Sequence, residues 1–559
     1  MELQNPEHKL PLHLQKRKLK IPKSRTNQKN NLHLARMVAM DDLTKHLALI
    51  EDDDNFRANN NGEENVARLE EVRTTPLFSS GVQMAMQVQE QQDVLPQYAL
   101  MGMRTETYGK AEGEADAETH IRRSTNLVYA NINAPWSTFI CGSQGSGKSH
   151  TLSCMLENAL LSPSQTGTLS SPLTGLVLHY DKFTGVNTGQ LCEAAYLSSK
   201  LPVHVLVAPS NYGHMERLYT NMPGLADGAS KPKVSRLYFR EDQLTLGMIK
   251  DLMAVSGEGT PPLYMEIVTK VLRQMAEEAF DRRGIDFNAF RRRLDAEDLI
   301  KGQLGPLNMR LNLLESFLEK THQKKPVRGR ALGKGRKGEN IWDFQPGSLT
   351  IIDLSCPFVD ENDACSLFNI CLSIFMERRN ESGRVVALDE AHKFLTTNSR
   401  EGGNLTDTLL SLIRQQRHLA TRVIIATQEP TLSPSLLDLC NVTIVHRFTS
   451  PAWFKTLRGH LAGAAIDDNN KPSYAPGNLF SRIVTLKTGE ALVFCPSAIL
   501  DIVSDEALEE SIPSLGEPKP NGVAALKELR IRELGPRYVR VRIRKRVTTD
   551  GGRSILALN

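Results

Sequence analysis

The residues best equipped for chemistry lie in the stretch Ser137 to Ser149, STFICGSQGSGKS. A short apolar run (Phe139, Ile140, Cys141) enters a glycine-rich turn. Gly142, Gly147, Lys148 and Ser149 then fit the phosphate-loop pattern G-x-x-x-x-G-K-[ST], with Ser143, Gln144, Gly145 and Ser146 between them. Glycines let a backbone wrap an anion, so that successive N–H groups and the N-terminus of the next helix, through His150, all point at phosphate oxygens. Lys148 would reach the β- and γ-phosphates, and the Ser149 hydroxyl would hold Mg²⁺.

A second stretch supplies acid. Val385-Val-Ala-Leu-Asp-Glu390 is an apolar strand closed by two carboxylates. Beside a phosphate loop, Asp389 would complete the Mg²⁺ shell with Ser149, and Glu390 would polarise the attacking water. A third strand, Arg422 to Thr427, runs into Gln428, Glu429 and Pro430. An amide emerging there can sense the γ-phosphate or the water; the competing reading is a turn-forming glutamine. The ligands expected are therefore ATP and Mg²⁺, and no N-K-x-D motif of the GTP-binding kind is present.

The elements around these residues alternate strand and helix, the signature of a parallel α/β sheet. After the loop, Leu152, Met155, Leu156, Ala159 and Leu160 recur at helical spacing. Gly175 to Tyr180, Val203 to Val207, Ser348 to Asp353 and Val442 to Val445 read as further buried strands, and Ala364 to Met376 as an apolar-striped helix with acids before it and arginines after it. Ile483 to Leu486 and Gly489 to Phe494 read as a closing hairpin. Between Glu241 and about Lys320 the pattern is wholly helical, an insertion whose arginines (Arg282, Arg283, Arg291, Arg292, Arg293) read first as a solvated face.

The chain has 559 residues, room for two to four domains. We divide it into a largely disordered basic and polar region at 1–125, a first core segment at 126–240, the helical insertion with a basic loop at 241–345, a second core segment at 346–500, and a basic tail or strand at 501–559. With 68 Lys and Arg against 64 Asp and Glu, the whole molecule is not an obvious polyanion binder. The charge is placed unevenly. Lys16-Arg17-Lys18-Leu19-Lys20 is a localisation signal, a nucleic-acid arm or a solvated tail, and 324–337 is a Gly-rich basic loop able to grip phosphate backbones. Arg537 to Arg546 alternates apolar and basic residues, as an edge strand kept soluble by charge or as a nucleic-acid strip. Eight scattered cysteines without C-x-x-C spacing read as reduced core thiols in a nuclear or cytoplasmic protein, with no zinc. No apolar run is long enough to span a membrane.

The order of these pieces, with "TIIDLS", "LDEAH", "LIRQQRH", "VIIATQEP" and "LCNVTIVHRF" following the phosphate loop, resembles the HerA–FtsK superfamily of DNA-translocating ATPases over roughly residues 136–497, closest to its HerA-like branch. It is similar also to fungal P-loop proteins carrying such a domain. The resemblance implies a RecA-like P-loop sheet of the additional-strand, catalytic-glutamate type. It further implies a homo-oligomer, usually a hexamer, that moves double-stranded DNA through a central pore. It assigns Lys148 and Ser149 to the Walker A pair, Asp389 and Glu390 to Walker B, and Gln428 to the sensor. Arg417 falls where the family has a finger arginine acting on a neighbouring subunit, although Gln416 replaces the family's glycine; Arg414 and Arg447 are lesser candidates. The stretch before Asn126 does not read as the N-terminal β-barrel of HerA proteins. The rival functional reading is an ATP-driven switch or scaffold for protein partners, and the last is a protein that binds nucleotide without turnover.

Overall fold

The computed structural model describes residues 70–90, 94–109, 123–182, 190–253, 264–278, 284–299, 301–319, 340–377, 382–396, 399–430, 432–461, 478–503 and 530–550. The basic cluster at 16–23, the loop at 324–337, and Arg282 and Arg283 lie outside them.

Eight strands form a parallel block. In spatial order they are β12 (Val442–Val445), β4 (Ser137–Cys141), β11 (Thr421–Thr427), β10 (Arg384–Asp389), β6 (Thr174–His179), β9 (Leu349–Asp353), β7 (Val203–Val207) and β8 (Lys233–Arg236). Each side chain along these strands alternates between two apolar cores. Phe139, Leu178, Ile352, Leu388 and Ile425 enter one core; Ile140, Val177, Ile351, Ala387 and Ile424 enter the other. A parallel sheet has to be covered on both faces, and the near-continuous apolar runs of these strands follow from that.

One face carries α2 (Lys148–Leu160) and α3 (Tyr212–Thr220). The other carries α8 (Glu361–Glu377), α9 (Arg400–Arg414) and the insertion helices α4 (Leu246–Met253), α5 (Tyr264–Glu278), α6 (Phe287–Asp295) and α7 (Lys301–Ser316). The insertion is not a separate body. Ile249, Leu252, Val268, Phe290 and Leu314 share one core with the sheet, and Trp342 stacks on Phe239 at 5.7 Å beneath them. Two of its arginines are neutralised locally: Arg291 pairs with Glu315 at 2.6 Å and Arg293 with Glu278 at 2.5 Å.

The sheet continues beyond β12 as an antiparallel block, and here three expectations fail. The region before Asn126 is not wholly outside the core. β1 (Leu77–Ser79) and β2 (Tyr98–Tyr108), with α1 (Ser80–Glu90), join β3 (Leu127–Asn131) in the sheet. Their short apolar runs are diluted by Gln, Met and Tyr, so composition hides them. The segment 483–486 is not a strand: it ends α13 (Leu479–Thr485), and only β13 (Glu490–Phe494) pairs, antiparallel to β12. Finally, β16 (Tyr538–Ile543) is no edge strand. It lies between β13 and β2, with β14 (Ile499–Val503) and β15 (Arg530–Glu533) at the far rim of the block. Its basic face meets acids from both neighbours: Arg540 reaches Glu490 at 2.6 Å and Glu106 at 3.2 Å. Period-two alternation identifies a strand, but the partner of its charged face comes from 50 or more residues away in sequence.

This antiparallel block grips the phosphate-loop helix. The side chain of Glu157, fully buried in α2, accepts from Arg544 Nη1 at 2.7 Å and from the Val547 and Thr548 amides. Arg544 also donates to the Cys154 carbonyl and to Asn158. Closer to the loop, the buried imidazole of His446 contacts Thr151 Oγ1 at 2.9 Å through Nε2 and the Glu490 carbonyl at 3.0 Å through Nδ1. Burial pushes its pKa down to about 4.

Two predictions follow from these contacts. Arg544→Ala removes the nearer of the two arginines at buried Glu157, leaving only Arg546 at 4.0 Å, so unfolding free energy measured in urea should fall by about 3 kcal/mol. His446 stays neutral in the folded chain but takes a proton in the unfolded chain near pH 6.5. Its stabilising effect is therefore complete above that value and is lost as pH falls toward about 4. Between pH 6.5 and 4.5 the parent should lose about 2 kcal/mol more than His446→Gln in denaturation titrations; equal losses would refute the assignment.

Candidate functional site

Parallel strands expose their carboxyl ends on one edge, and the site is assembled there. β11 lies between β4, which carries the phosphate loop, and β10, which carries Asp389 and Glu390. That additional strand is the arrangement implied by the family resemblance.

The phosphate loop leaves β4 at Cys141. Gly142, Gly145 and Gly147 have φ of +154°, +72° and +111°, conformations that L side chains rarely adopt. A Cβ at Gly142 would also stand 2.6 Å from His446 Cβ, so glycine is required there twice over. The loop is tied to β12's exit: the Ser143 N–H and hydroxyl both donate to the Arg447 carbonyl, at 2.9 and 2.8 Å. Ser146 donates its hydroxyl to the Ser143 carbonyl at 2.7 Å. Gln144 and Gly145 stand exposed at the loop's tip, and Gly147 caps α2 in a left-handed conformation. Lys148 is 5% exposed and donates to the Ser143 carbonyl at 3.3 Å. Burial lowers its pKa, while the charges of Glu390 and Asp389 oppose that shift. Ser149 is half-buried on the first turn of α2, and the His150 ring contacts the Arg544 carbonyl at 2.8 Å.

Glu390 adopts a left-handed backbone, φ +51° and ψ +43°, one of two such non-glycine residues among those described. Strain of this kind costs on the order of 1–3 kcal/mol and persists where surroundings enforce it. Here Gln428 enforces it from the end of β11, donating through Nε2 to both carboxylate oxygens at 3.1 Å. His392 Nδ1 lies 3.4 Å from the same carboxylate. Gln428 and Glu390 are thus joined directly.

Asp389 sits in a buried polar ring that the sequence motifs do not announce. It is level with His179 on β6, which is level with Asp353 on β9. His179 Nδ1 lies 3.3 Å from Asp389 Oδ2, off the line of a good hydrogen bond. Tyr219 donates to Asp353 Oδ2 at 2.5 Å and accepts from the Cys192 amide at 3.1 Å. The Cys192 thiol closes the ring on Asp389 Oδ2 at 3.6 Å. Although burial disfavours the imidazolium, Asp353 and Asp389 together raise the His179 pKa to about 9. Burial pushes the Asp389 carboxyl up, but the contact with His179 outweighs it and holds the group below the usual carboxylate range. Glu193 adds a further acid nearby; burial, then the charge of Asp389, pushes its pKa up to about 7. Asp353 could have been found from its own signature, an apolar strand ending in acid. His179 and His446 could not, because each is one polar residue inside an apolar run.

Arg417 is exposed on the short helix α10 (Gln416–Leu419), which leads into the start of β11. That is the amino-end edge of the parallel block, opposite the phosphate loop, and Arg414 lies there too. The structure does not bring either one to the site of its own chain. Arg447 is exposed at the correct edge, beside Ser143.

The donor set fits Mg²⁺ and a nucleoside triphosphate. Ser149 and Asp389 offer hard oxygen ligands, and the three positive-φ glycines leave a cradle that side chains would fill.

No family model matches the chain, and no curated protein does. Among solved structures it is similar to VirB4 of Thermoanaerobacter pseudethanolicus, at 10% identity and a TM-score of 0.38, over 71% of this chain and 93% of that one. It is also similar to the genome packaging NTPase B204 from Sulfolobus turreted icosahedral virus 2 in complex with AMP, at 14% identity and a TM-score of 0.19, over 27% of this chain and 63% of that one. The class assignment rests on the strand order of this chain. With β11 between the phosphate-loop strand and the acidic strand, the chain has the strand order of a RecA-like, additional-strand P-loop fold.

Proposed function

We propose that the protein is a Mg²⁺-dependent ATPase that assembles into a ring, by resemblance a hexamer, and uses ATP turnover to move double-stranded DNA. The observation that carries the ATPase reading is the Glu390–Gln428 pair, held at two 3.1 Å contacts one strand away from the phosphate loop. Lys148 would leave the Ser143 carbonyl for the β- and γ-phosphates. Ser149 and Asp389 would hold Mg²⁺, which when bound draws charge off the phosphate oxygens. Glu390 would orient the water and take its proton as the water oxygen bonds to the γ-phosphorus and the bond to the β-phosphate oxygen breaks. Gln428, bonded to Glu390, would register loss of the γ-phosphate and pass it to β11. Arg417, distant from its own site, would act on a neighbouring subunit's nucleotide.

One observation favours the second reading, an ATP-driven switch or scaffold for protein partners. Arg540 of β16, part of the strip that gave the sequence one of its candidate DNA surfaces, is occupied by Glu106 and Glu490. Among the described residues no helix is long and apolar enough to cross a membrane.

Steady-state ATP hydrolysis with and without double-stranded DNA tests both. Lys148→Ala and Glu390→Gln should each reduce turnover by about 100-fold or more, the scale of a lost general base. Gln428→Ala should reduce it with little change in nucleotide affinity. Stimulation by DNA supports the motor. Turnover indifferent to DNA transfers the assignment to the switch, and nucleotide binding without turnover refutes the ATPase reading.

A further inference from the structure

At the carboxyl ends of β10, β6 and β9, Asp389, His179 and Asp353 share one level of the sheet and face the same core as α2. Asp389 and Asp353 are 4% and 0% exposed, and the only side chain between them is an imidazole that is itself 1% exposed. Two carboxylates this close and this dry repel each other unless something lies between that can donate to both. The imidazole lies between them with Nδ1 3.3 Å from Asp389 Oδ2, and neither ring nitrogen makes a hydrogen bond among the described residues. The outer end of the row is fixed independently: Asp353 receives the Tyr219 hydroxyl on Oδ2 and the Ser355 amide on Oδ1 at 3.0 Å.

At the inner end, both neighbours of Asp389 address the same oxygen. His179 Nδ1 and Cys192 Sγ both contact Oδ2, at 3.3 and 3.6 Å, and no hydrogen bond among the described residues reaches Oδ1. The carboxylate is thereby turned so that one oxygen is occupied from behind and the other is left over. A carboxylate that must bind a small octahedral cation with one oxygen needs this kind of restraint, because Mg²⁺ tolerates little error in ligand placement.

We infer that His179 is a positioning residue for the Mg²⁺ carboxylate: wedged between Asp353 and Asp389, it holds Asp389 Oδ2 and presents Oδ1 to the metal bound with the nucleotide. This rests on the reading of Asp389 and Ser149 as the Mg²⁺ ligands. The row Tyr219–Asp353–His179–Asp389 is then a support running from α3 through three strands to the phosphate site. Partners of this kind around a metal ligand typically set metal affinity by about 10- to 100-fold.

The test is binding of a fluorescent ATP analogue by the full chain, titrated with Mg²⁺ and repeated in EDTA. His179→Asn should raise the Mg²⁺ concentration at half-saturation by about 10-fold or more, while affinity in EDTA stays within about 2-fold of the parent. Lys148→Ala behaves differently, losing affinity in both conditions. Because His179→Asn exposes two acids to each other and can unfold, Tyr219→Phe serves as the milder variant. It removes the 2.5 Å bond to Asp353 together with the 3.1 Å bond the hydroxyl accepts from the Cys192 amide, and should shift Mg²⁺ half-saturation the same way by about 3-fold. A folded His179→Asn or Tyr219→Phe with the parent's Mg²⁺ dependence, or a tighter one, overturns the inference and leaves the ATPase reading intact. A parent that binds no nucleotide in either condition overturns both.

Discussion

Everything at this site depends on parallel strands ending in register. β4 and β11 end together at Cys141 and Thr427; β10, β6 and β9 end together at Asp389, His179 and Asp353. Because side chains alternate faces, a slip of one residue in β10 would turn Asp389 away from the α2 face and into the opposite core. The register is guarded by two apolar cores at once, since each strand residue between Val385 and Leu388 is fully buried on one side or the other. Catalytic geometry here is a by-product of packing: the carboxylates are where they are because Val385 and Ala387, one or two turns of the pleat earlier, fill one core while Val386 and Leu388 fill the other.

Burying so many charges has a cost, and at several of them the chain meets it locally. Glu157 is surrounded by Arg544, two backbone amides and the Thr548 hydroxyl. Asp353 has Tyr219, the Ser355 amide and His179. Arg422, 3% exposed, has no acid; it donates to the carbonyls of Ile132, Asn133 and Ala420. Burial lowers its pKa to about 10, still well above neutrality, so it pins the start of β11 as a cation. Glu390 is the exception. It carries backbone strain and is restrained by one amide and one imidazole, a sparse arrangement for a group 7% exposed. Backbone strain at a carboxylate so sparsely held marks a group whose surroundings must change.

The motifs with local signatures were legible from sequence: the glycine loop, the acidic strand end, Gln428, and the strands and helices that carry them. Local pattern fixes what a segment is when the pattern is made by the segment alone. It failed where identity depends on a distant neighbour. β16 reads as a basic strip until Glu106 and Glu490 are placed on either side of it. His179 and His446 read as stray polar residues until Asp353 and Asp389, or Thr151 and Glu490, are brought to them. β1 and β2 read as part of a tail because each is stabilised by pairing rather than by its own apolar content.

The same long-range pairs give the chain a mechanical property. The phosphate-loop helix is fastened at its first turn by His150 to the Arg544 carbonyl and by Thr151 to His446, and further along by Glu157 to Arg544. All three fastenings lead into β12, β13 or the segment after β16. On the other side, Gln428 ties Glu390 to the end of β11, inside the parallel block. Nucleotide between Lys148 and Glu390 would therefore meet the fastened phosphate-loop helix on one side and the carboxyl ends of β10 and β11 on the other.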